Sequence, residues 1–294
     1  MASRPASYAR SLLASAAIAA GVVMTGASPV AAAHRTTSPT TGNDISWPQC
    51  GSSFPSGQAF GIVGVNGGLA NKVNPCLGPY GAGGPATSEL AWAWGSTGSS
   101  KLPKAALYVN TADPGTGVAD WPRDNIDPAG ASEGPGSVNA DPYGACDGSD
   151  SQACAWQYGW DRAVQDIAWL ATAAGQVGGV ASAASAYRWW LDVETGNSWE
   201  TGSAGLLNNV ADLQGMVAAF TAAGAPAGVY STSYQWGVIT GGSRAGNLDG
   251  LPDWIPGART QSGATSNCSV PGFTGGAVMI TQWFGRPYDG DVAC

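Results

Sequence analysis

Two carboxylic acids, Asp192 and Glu194, lie two positions apart at the end of the apolar segment WWLDVE at 189–194. The bulky apolar residues of this segment predict a buried β-strand. Alternate side chains of a strand point to the same side, so Asp192 and Glu194 face one way and Val193 faces the other. Burial and mutual repulsion raise the pKa of one acid of such a pair, so that one is protonated while its neighbour is ionised. This pattern is typical of acid–base catalysis.

A structural role for the same pair is the alternative. Both acids could lie at the exposed end of the strand and pair with Arg188 or another base. Their position favours catalysis, because the loop TGNSW at 195–199 follows directly and barrel enzymes carry their reacting groups at the C-terminal ends of strands. The other glutamates, Glu89, Glu133 and Glu200, occur in helix or loop contexts, where we expect exposed acids.

The only histidine of the chain, His34, lies in a Ser/Thr/Pro-rich segment at 34–42 that we expect to be disordered. Ser-His-Asp and Cys-His mechanisms therefore have no base. If the protein is an enzyme, aspartate and glutamate must carry the proton transfers.

The composition narrows the class of ligand. The chain has 12 Lys and Arg against 20 Asp and Glu, a formal net charge of −8, which disfavours nucleic acid as a partner. Its 13 tryptophans favour an uncharged, ring-shaped ligand, because sugars stack their apolar faces on indole. We expect no cofactor, and we expect a monomer.

The N-terminal residues predict a secretory signal peptide at 1–33. Arg4 and Arg10 flank the start of an Ala-rich apolar stretch at 11–27, and the alanines at 31–33 offer a cleavage site. Ser, Thr and Gly interrupt this stretch too often for a membrane anchor. We therefore expect a secreted protein, extracellular or associated with the cell wall, with no membrane anchor after cleavage.

Six cysteines in a chain that leaves the cytosol predict three disulfides. Loop closure favours partners that are near in sequence. The predicted pairs are Cys50–Cys76, Cys146–Cys154 and Cys268–Cys294. No C-x-x-C pair occurs and no histidine is nearby, so we expect no zinc or other metal site.

Short apolar runs that alternate with longer Ala-rich stretches predict an α/β fold with a parallel sheet. The predicted strands are 60–66, 105–110, 189–194, 227–231, 253–257 and 277–283, and the predicted helices are 86–95, 155–175 and 204–223. A single (β/α)8 TIM-like barrel at 43–294, regular or irregular, is the simplest architecture. The segment 113–153, rich in Gly, Pro, Asp and Ser, is interpreted as a surface insertion held by Cys146–Cys154.

The order of several motifs resembles glycoside hydrolase family 25, a family of lysozymes. These motifs are NDIS at 43–46 with Gln49, LDVE at 191–194, GVYS at 228–231 with Trp236, DWIPG at 253–257, ITQW at 280–283 and DGDV at 289–292. They extend over residues 43–292. The resemblance implies N-acetylmuramidase activity, which is cleavage of the β-1,4 bond between N-acetylmuramic acid and N-acetylglucosamine in peptidoglycan.

Matched position by position, the resemblance assigns roles to several acids. Glu194 corresponds to the general acid, and Asp192 to the acid that assists the reacting sugar, either by orienting its acetamido group or by stabilising an oxocarbenium-like state. Asp44 corresponds to a carboxylate on the first strand. Asp291 corresponds to the terminal carboxylate, with Asp289 as the alternative.

The resemblance also places Tyr230 and Trp254 along a sugar groove, and we expect Trp47, Trp199, Trp283 and Asp289 to contact the substrate. The chain departs from the family at Trp283, where the family usually has Tyr, and in its long insertion. A second interpretation is a weakly active or inactive glycan-binding protein of the cell wall on the same barrel. A third is a secreted hydrolase of another polysaccharide.

Overall fold

The computed structural model describes residues 40–294, in which eight strands close into a barrel in chain order. The strands are β1 Thr41–Ile45, β2 Phe60–Gly64, β3 Ala105–Asn110, β4 Arg188–Asp192, β5 Ala227–Tyr230, β6 Asp253–Ala258, β7 Val278–Trp283 and β8 Asp289–Ala293. The predicted signal peptide and residues 34–39 lie outside the described residues. Residues 41 and 42 belong to β1 and not to the predicted disordered tail.

The barrel is an α/β barrel, as the sequence predicts, but its eighth strand is reversed. Strands β1 to β7 pair in parallel, whereas β8 runs antiparallel to both β7 and β1. Residues 284–288 connect β7 to β8, and a connection this short cannot return the chain for parallel pairing. The reversal places Asp289 opposite Asp44 and Asp291 opposite Gly42 in the ladder.

Helices surround the barrel unevenly. They are α1 Glu89–Trp94, α2 Gln152–Val177, α3 Gly202–Ala222, α4 Ser233–Thr240 and α5 Gln261–Asn267. Helices α2 and α3 lie backbone against backbone, because a Cβ on Gly159 would lie 1.9 Å from the carbonyl oxygen of Asp212. Gly215 likewise allows the close approach of Trp156, whose carbonyl oxygen would lie 1.9 Å from an added Cβ.

The apolar core has two layers, and adjacent residues of β4 pack into different ones. Trp189 packs in the layer between the barrel and its helices, while Trp190 packs inside the barrel. The inner layer consists of Phe60, Ile62, Leu102, Ala106, Trp190, Trp254, Ile280 and Ala293, with Tyr108 and Tyr230 partly buried against it. A Cβ on Gly228 would lie 2.5 Å from the Trp190 ring, so glycine is required there. This inner layer forms a solid floor beneath the C-terminal ends of the strands.

Most residues of the long insertion at 113–153 are exposed, as the sequence predicts for a surface segment, but several of its polar side chains are buried. Gln157 of α2 is fully buried, and its side chain forms hydrogen bonds with two residues of the insertion and with one of α2. It accepts a hydrogen bond from Asn125 at 2.9 Å and donates to Asp161 at 2.8 Å and to Glu133 at 3.2 Å. Buried polar groups anchor the insertion to α2 because each must find a hydrogen-bond partner. Asp141 is also buried, with Asn125 at 3.5 Å.

The three disulfides join Cys50 to Cys76, Cys146 to Cys154 and Cys268 to Cys294, which are the pairs expected from neighbours in sequence. The bridge Cys268–Cys294 joins the end of α5 to the residue after β8. It therefore holds the strand that closes the barrel.

We expect the double variant Cys268→Ser/Cys294→Ser to lose about 3 kcal/mol of unfolding free energy, because the bridge closes a long loop and restricts the unfolded chain. Urea unfolding of the two proteins measures this difference. The variant should also exchange the backbone amides of β8 faster than those of β4. An unchanged urea midpoint would show that the bridge contributes nothing to stability.

Candidate active site

Four carboxylic acids line one groove at the end of the barrel where the parallel strands terminate. Asp44 lies on β1, Asp192 ends β4, Glu194 follows two residues later, and Asp289 begins the reversed strand β8. The groove also contains the rings of Tyr108, Tyr230, Trp47 and Trp254. The C-terminal ends of barrel strands are where catalytic groups of this architecture lie.

The pair on β4 has the alternation that the sequence predicts. Asp192 and Glu194 both line the groove, while Val193 between them is fully buried in the outer core layer. Arg188 is at the other end of β4 and bonds the carbonyl oxygen of Ala227, so it does not neutralise them. The single ion pair among residues 40–294 joins Arg162 to Asp120. The pair of acids therefore has no basic partner in the described part of the chain.

The two acids differ in environment. Asp192 is 7% exposed and its Oδ1 has no hydrogen-bond partner, whereas Glu194 is half-buried. Burial, followed by the charges of Glu194 and Asp44, raises the pKa of Asp192 well above its usual value. The role that the resemblance assigns to Asp192, stabilising an oxocarbenium-like state, requires its ionised form. The raised pKa of Asp192 follows from its position, because the barrel covers this side chain.

Asp44 belongs to a hydrogen-bonded chain that crosses the groove floor. The Tyr230 hydroxyl donates to Gln282 Oε1 at 3.0 Å, and Gln282 Nε2 donates to Asp44 Oδ2 at 2.9 Å. Burial raises the pKa of Asp44 to about 6, an effect that the Gln282 hydrogen bond opposes and the charge of Asp289 increases. These bonds fix the orientation of Asp44.

Asp291 lies beneath Asp44 and is fully buried. Trp254 Nε1 donates to its Oδ1 at 3.0 Å. Burial and the neighbouring charge of Asp44 raise the pKa of Asp291 well above its usual value. Asp291 is therefore covered by the barrel, whereas Asp289 is the acid of β8 that lines the groove.

The loop after β4 is held by the backbone oxygen of Glu194. Trp199 Nε1 donates to it at 2.9 Å, and Asn197 N donates to it at 3.1 Å. The side chain of Glu194 has a long contact of 3.5 Å from Gln235 Nε2 of α4. Its carboxylate is thus positioned by the backbone and still accessible from the groove.

The predicted aromatic contacts divide into two groups. Trp47, which is 48% exposed, lies at the rim of the groove, and Tyr230 and Trp254 lie in it. Trp254 is almost fully buried and packs edge-to-face against Tyr230. Trp199 stands behind Glu194 instead of in the groove. Trp283 packs outside the barrel against the cluster of Ala258, Ala264 and Val292.

Three groove residues were not singled out from the sequence as site residues. Tyr108 and Asn110 of β3 line the groove beside Asp192, and Gln282 of β7 lines it beside Asp44. The alternation of AALYVN at 105–110 indicates these positions. Ala106 points into the barrel, so residues 108 and 110 lie on the same side of the strand. A Cβ on Gly64 would lie 2.8 Å from the Tyr108 ring, so that glycine makes room for it.

Two glutamates expected to be exposed are buried. Glu89 begins α1 with no solvent exposure and receives a hydrogen bond from Asn74 at 2.7 Å, and Glu133 is held by Gln157. Cys50, Cys76 and Glu89 form the one group in residues 40–294 whose ligand atoms lie close enough for a metal ion, but the two cysteines are joined in a disulfide. No helix in this part of the chain is long and apolar enough to cross a membrane.

Comparisons with known proteins find similarity only among solved structures, because no family model and no curated protein matches the sequence. A family GH25 lysozyme from Aspergillus fumigatus has a TM-score of 0.47 and 15% identity over 87% of this chain and 94% of that one. The barrel is similar to those of lysozymes. A muramidase from Trichobolus zukalii has a TM-score of 0.46 and 15% identity, with 87% and 93% covered. A bacterial lysozyme from Streptomyces coelicolor has a TM-score of 0.44 and 14% identity over 87% of this chain and 93% of that one. The likeness describes the fold alone.

Proposed function

We propose that this protein is a secreted glycoside hydrolase that cleaves peptidoglycan between N-acetylmuramic acid and N-acetylglucosamine. The observation that carries the proposal is the gathering of Asp44, Asp192, Glu194 and Asp289 in one aromatic-lined groove at the C-terminal strand ends. Glycoside hydrolysis requires a protonated acid near the glycosidic oxygen and a second carboxyl group on the reacting sugar. The motif order of the sequence favours a muramidase over other glycosidases.

The pair on β4 divides the chemistry. Glu194 is the accessible acid and donates a proton to the leaving glycosidic oxygen. Asp192 lies deeper and acts on the sugar ring, where positive charge develops as the bond breaks. That charge favours the ionised form of Asp192 in the transition state.

The remaining groups position the substrate. The chain from Tyr230 through Gln282 to Asp44 presents polar atoms on one side of the groove. Trp47 presents an exposed indole face at the rim, which suits stacking of a sugar ring. Asp289 adds a carboxylate for sugar hydroxyl groups.

A glycan-binding protein without activity is the second candidate function. The observation that favours it is the weak contact of 3.5 Å between Glu194 and Gln235, since no closer hydrogen-bond partner fixes the proposed acid. Such a protein would keep the groove and its aromatic rim while releasing no product.

We expect incubation of the protein, without residues 1–33, with purified peptidoglycan to release fragments whose new reducing ends are N-acetylmuramic acid. Borohydride reduction of the fragments followed by mass spectrometry identifies those ends. Ends made of N-acetylglucosamine would show cleavage of a different bond. Binding without release would favour the glycan-binding function. The variant Asp249→Asn, which lies before β6 and away from the groove, is the matched control for variants that lose one charge.

A further inference from the structure

A second cleft, here called the acidic cleft, lies beside the groove and shares the loop that follows β4. Its lining includes Asp113, Asp150, Asn197, Trp199, Glu200 and Thr201. Three of these residues are carboxylic acids, and none of them takes part in the single ion pair of residues 40–294. The cleft therefore concentrates negative charge that no basic side chain of the described residues balances by contact.

Asp113 forms the floor of the acidic cleft. It is fully buried, and its backbone N–H donates to the carbonyl oxygen of Ser198 at 3.0 Å. Its Oδ1 receives one long hydrogen bond, 3.4 Å from Gly115 N, and its Oδ2 has no partner. Burial, followed by the charge of Glu200, raises the pKa of Asp113 to about 7. A buried carboxyl oxygen without a donor is costly, so this atom calls for a donor from a ligand.

The other two acids converge on the same space. The side-chain amide of Asn208 donates at 2.9 Å to Asp150 Oδ1 and at 2.9 Å to Glu200 Oε2, which turns both carboxyl groups to one point. A Cβ on Gly115 would lie 2.5 Å from Glu200 Oε1, so the second oxygen of Glu200 reaches the loop that carries Asp113. Acceptors from three separate segments thus surround one cleft.

The lining of the acidic cleft fits an organic cation better than a bare metal ion. The carboxyl oxygens of Asp113, Asp150 and Glu200 do not all lie close enough together to hold one metal ion, whereas the ligand atoms of Cys50, Cys76 and Glu89 do. An ammonium group needs only two of these acceptors, such as Asp150 and Glu200, which Asn208 holds together, and its alkyl chain can pack against an apolar wall. The indole of Trp199 adds an aromatic wall, which favours cations.

We propose that the acidic cleft binds a primary ammonium group, supplied by the free side-chain amine of a diamino acid in the peptide attached to the glycan. The identity of this ligand rests on the proposed function, because peptidoglycan carries short peptides on its muramic acid residues. The cleft is suitably placed, since Asn197 and Trp199 line it and both donate to the backbone oxygen of Glu194. The cleft would then select uncross-linked peptidoglycan, in which that amine is free.

The test compares a soluble stem peptide that ends in a diamino acid with the same peptide acetylated at its side-chain amine. We expect isothermal titration to show about tenfold weaker binding of the acetylated peptide by the wild type, the effect of losing one charge-assisted contact. Asp150→Asn should bind both peptides with the same weak affinity. Asp249→Asn removes one exposed charge before β6 and should keep the tenfold preference. Equal binding of both peptides by the wild type would overturn the proposal.

A kinetic arm separates this site from the groove. Acetylation of the free amines of peptidoglycan should raise KM about tenfold for the wild type and leave kcat unchanged, while Asp150→Asn should show no response to acetylation. If no peptidoglycan is cleaved but the free-amine peptide still binds through Asp150, the proposed function fails and the ammonium site stands. Stabilisation by micromolar Ca²⁺, reversed by chelation and abolished by Asp150→Asn, would show a metal site instead and overturn the proposal.

Discussion

Glu194→Gln is expected to lower kcat on peptidoglycan by about 10²–10⁴-fold, the range for loss of general acid catalysis. Glutamine has the same shape and can still accept the contact from Gln235, so glycan binding should be retained. The measurement is turnover of reducing ends at saturating substrate, together with a sedimentation assay of binding to intact peptidoglycan. A kcat within a factor of three of the wild type would remove Glu194 from the role of proton donor.

Two further variants show whether the loss is specific. Asp192→Asn should also lower kcat, because an amide cannot support developing positive charge, and its binding should change little. Asp249→Asn, in which an exposed acid far from the groove loses the same charge, should keep the activity of the wild type. If Asp192→Asn alone abolished turnover, the acid and assisting roles would have to be exchanged.

The second large effect concerns pH and stability, and we expect the protein to be more stable at pH 5 than at pH 8. Burial raises the pKa of many carboxyl groups of the fold. Those raised to about 6 or 7 are Asp44, Glu89, Asp113, Glu133, Asp141, Asp161 and Asp253, and those raised further are Asp166, Asp192, Asp212 and Asp291. The folded state therefore binds more protons than the unfolded chain between about pH 4 and pH 7.

The sign follows from proton linkage. Groups with raised pKa values contribute stability that is complete below their unfolded pKa and is lost as pH rises through their folded pKa. For two carboxyl groups whose pKa rises by one on folding, this loss of stability is already about 3 kcal/mol. The unfolding free energy should therefore fall by at least about that amount from pH 5 to pH 8. For a domain of this size the corresponding change in Tm is roughly 10 °C.

Urea unfolding at several pH values measures this dependence. Asp212→Asn offers a matched change, because Asp212 is fully buried with neither carboxyl oxygen hydrogen-bonded, and the variant should depend less steeply on pH than the wild type. Asp249→Asn should keep the full slope. Stability that rises from pH 5 to pH 8 would contradict the raised pKa values.

The apolar strands and the β4 acid pair follow from the sequence because they depend on local pattern. Alternation along WWLDVE places Asp192 and Glu194 together whatever the rest of the barrel does. The same rule applied to ITQW would have placed Trp283 outside the barrel and Gln282 inside it, as observed. Tertiary burial is what the pattern did not reveal. Strand β8 was missed because DGDVA contains two acids and a glycine, and its Asp291 is buried between β1 and β7, where it accepts a hydrogen bond from Trp254.

Glu89 and Glu133 illustrate the same limit of local pattern. Each occurs in a segment that reads as solvent-exposed, yet a distant amide group covers each one: Asn74 for the first and Gln157 for the second. Such partners are set by how loops fold back on the barrel. Burial of a charged residue therefore depends on contacts between segments that sequence spacing does not encode.

The reversed eighth strand has a consequence for how the chain reaches its folded state. Strand β1 obtains one of its two neighbours only from β8, and Asn43 bonds the backbone of Asp289 across 246 residues. Nearly the whole polypeptide must therefore emerge before the barrel can close, and pairing over such separations is slow. Asp44 and Asp291 meet at this last seam. The groove acids are thus brought together late in folding, and a nascent chain that still lacks β8 carries no complete set of them.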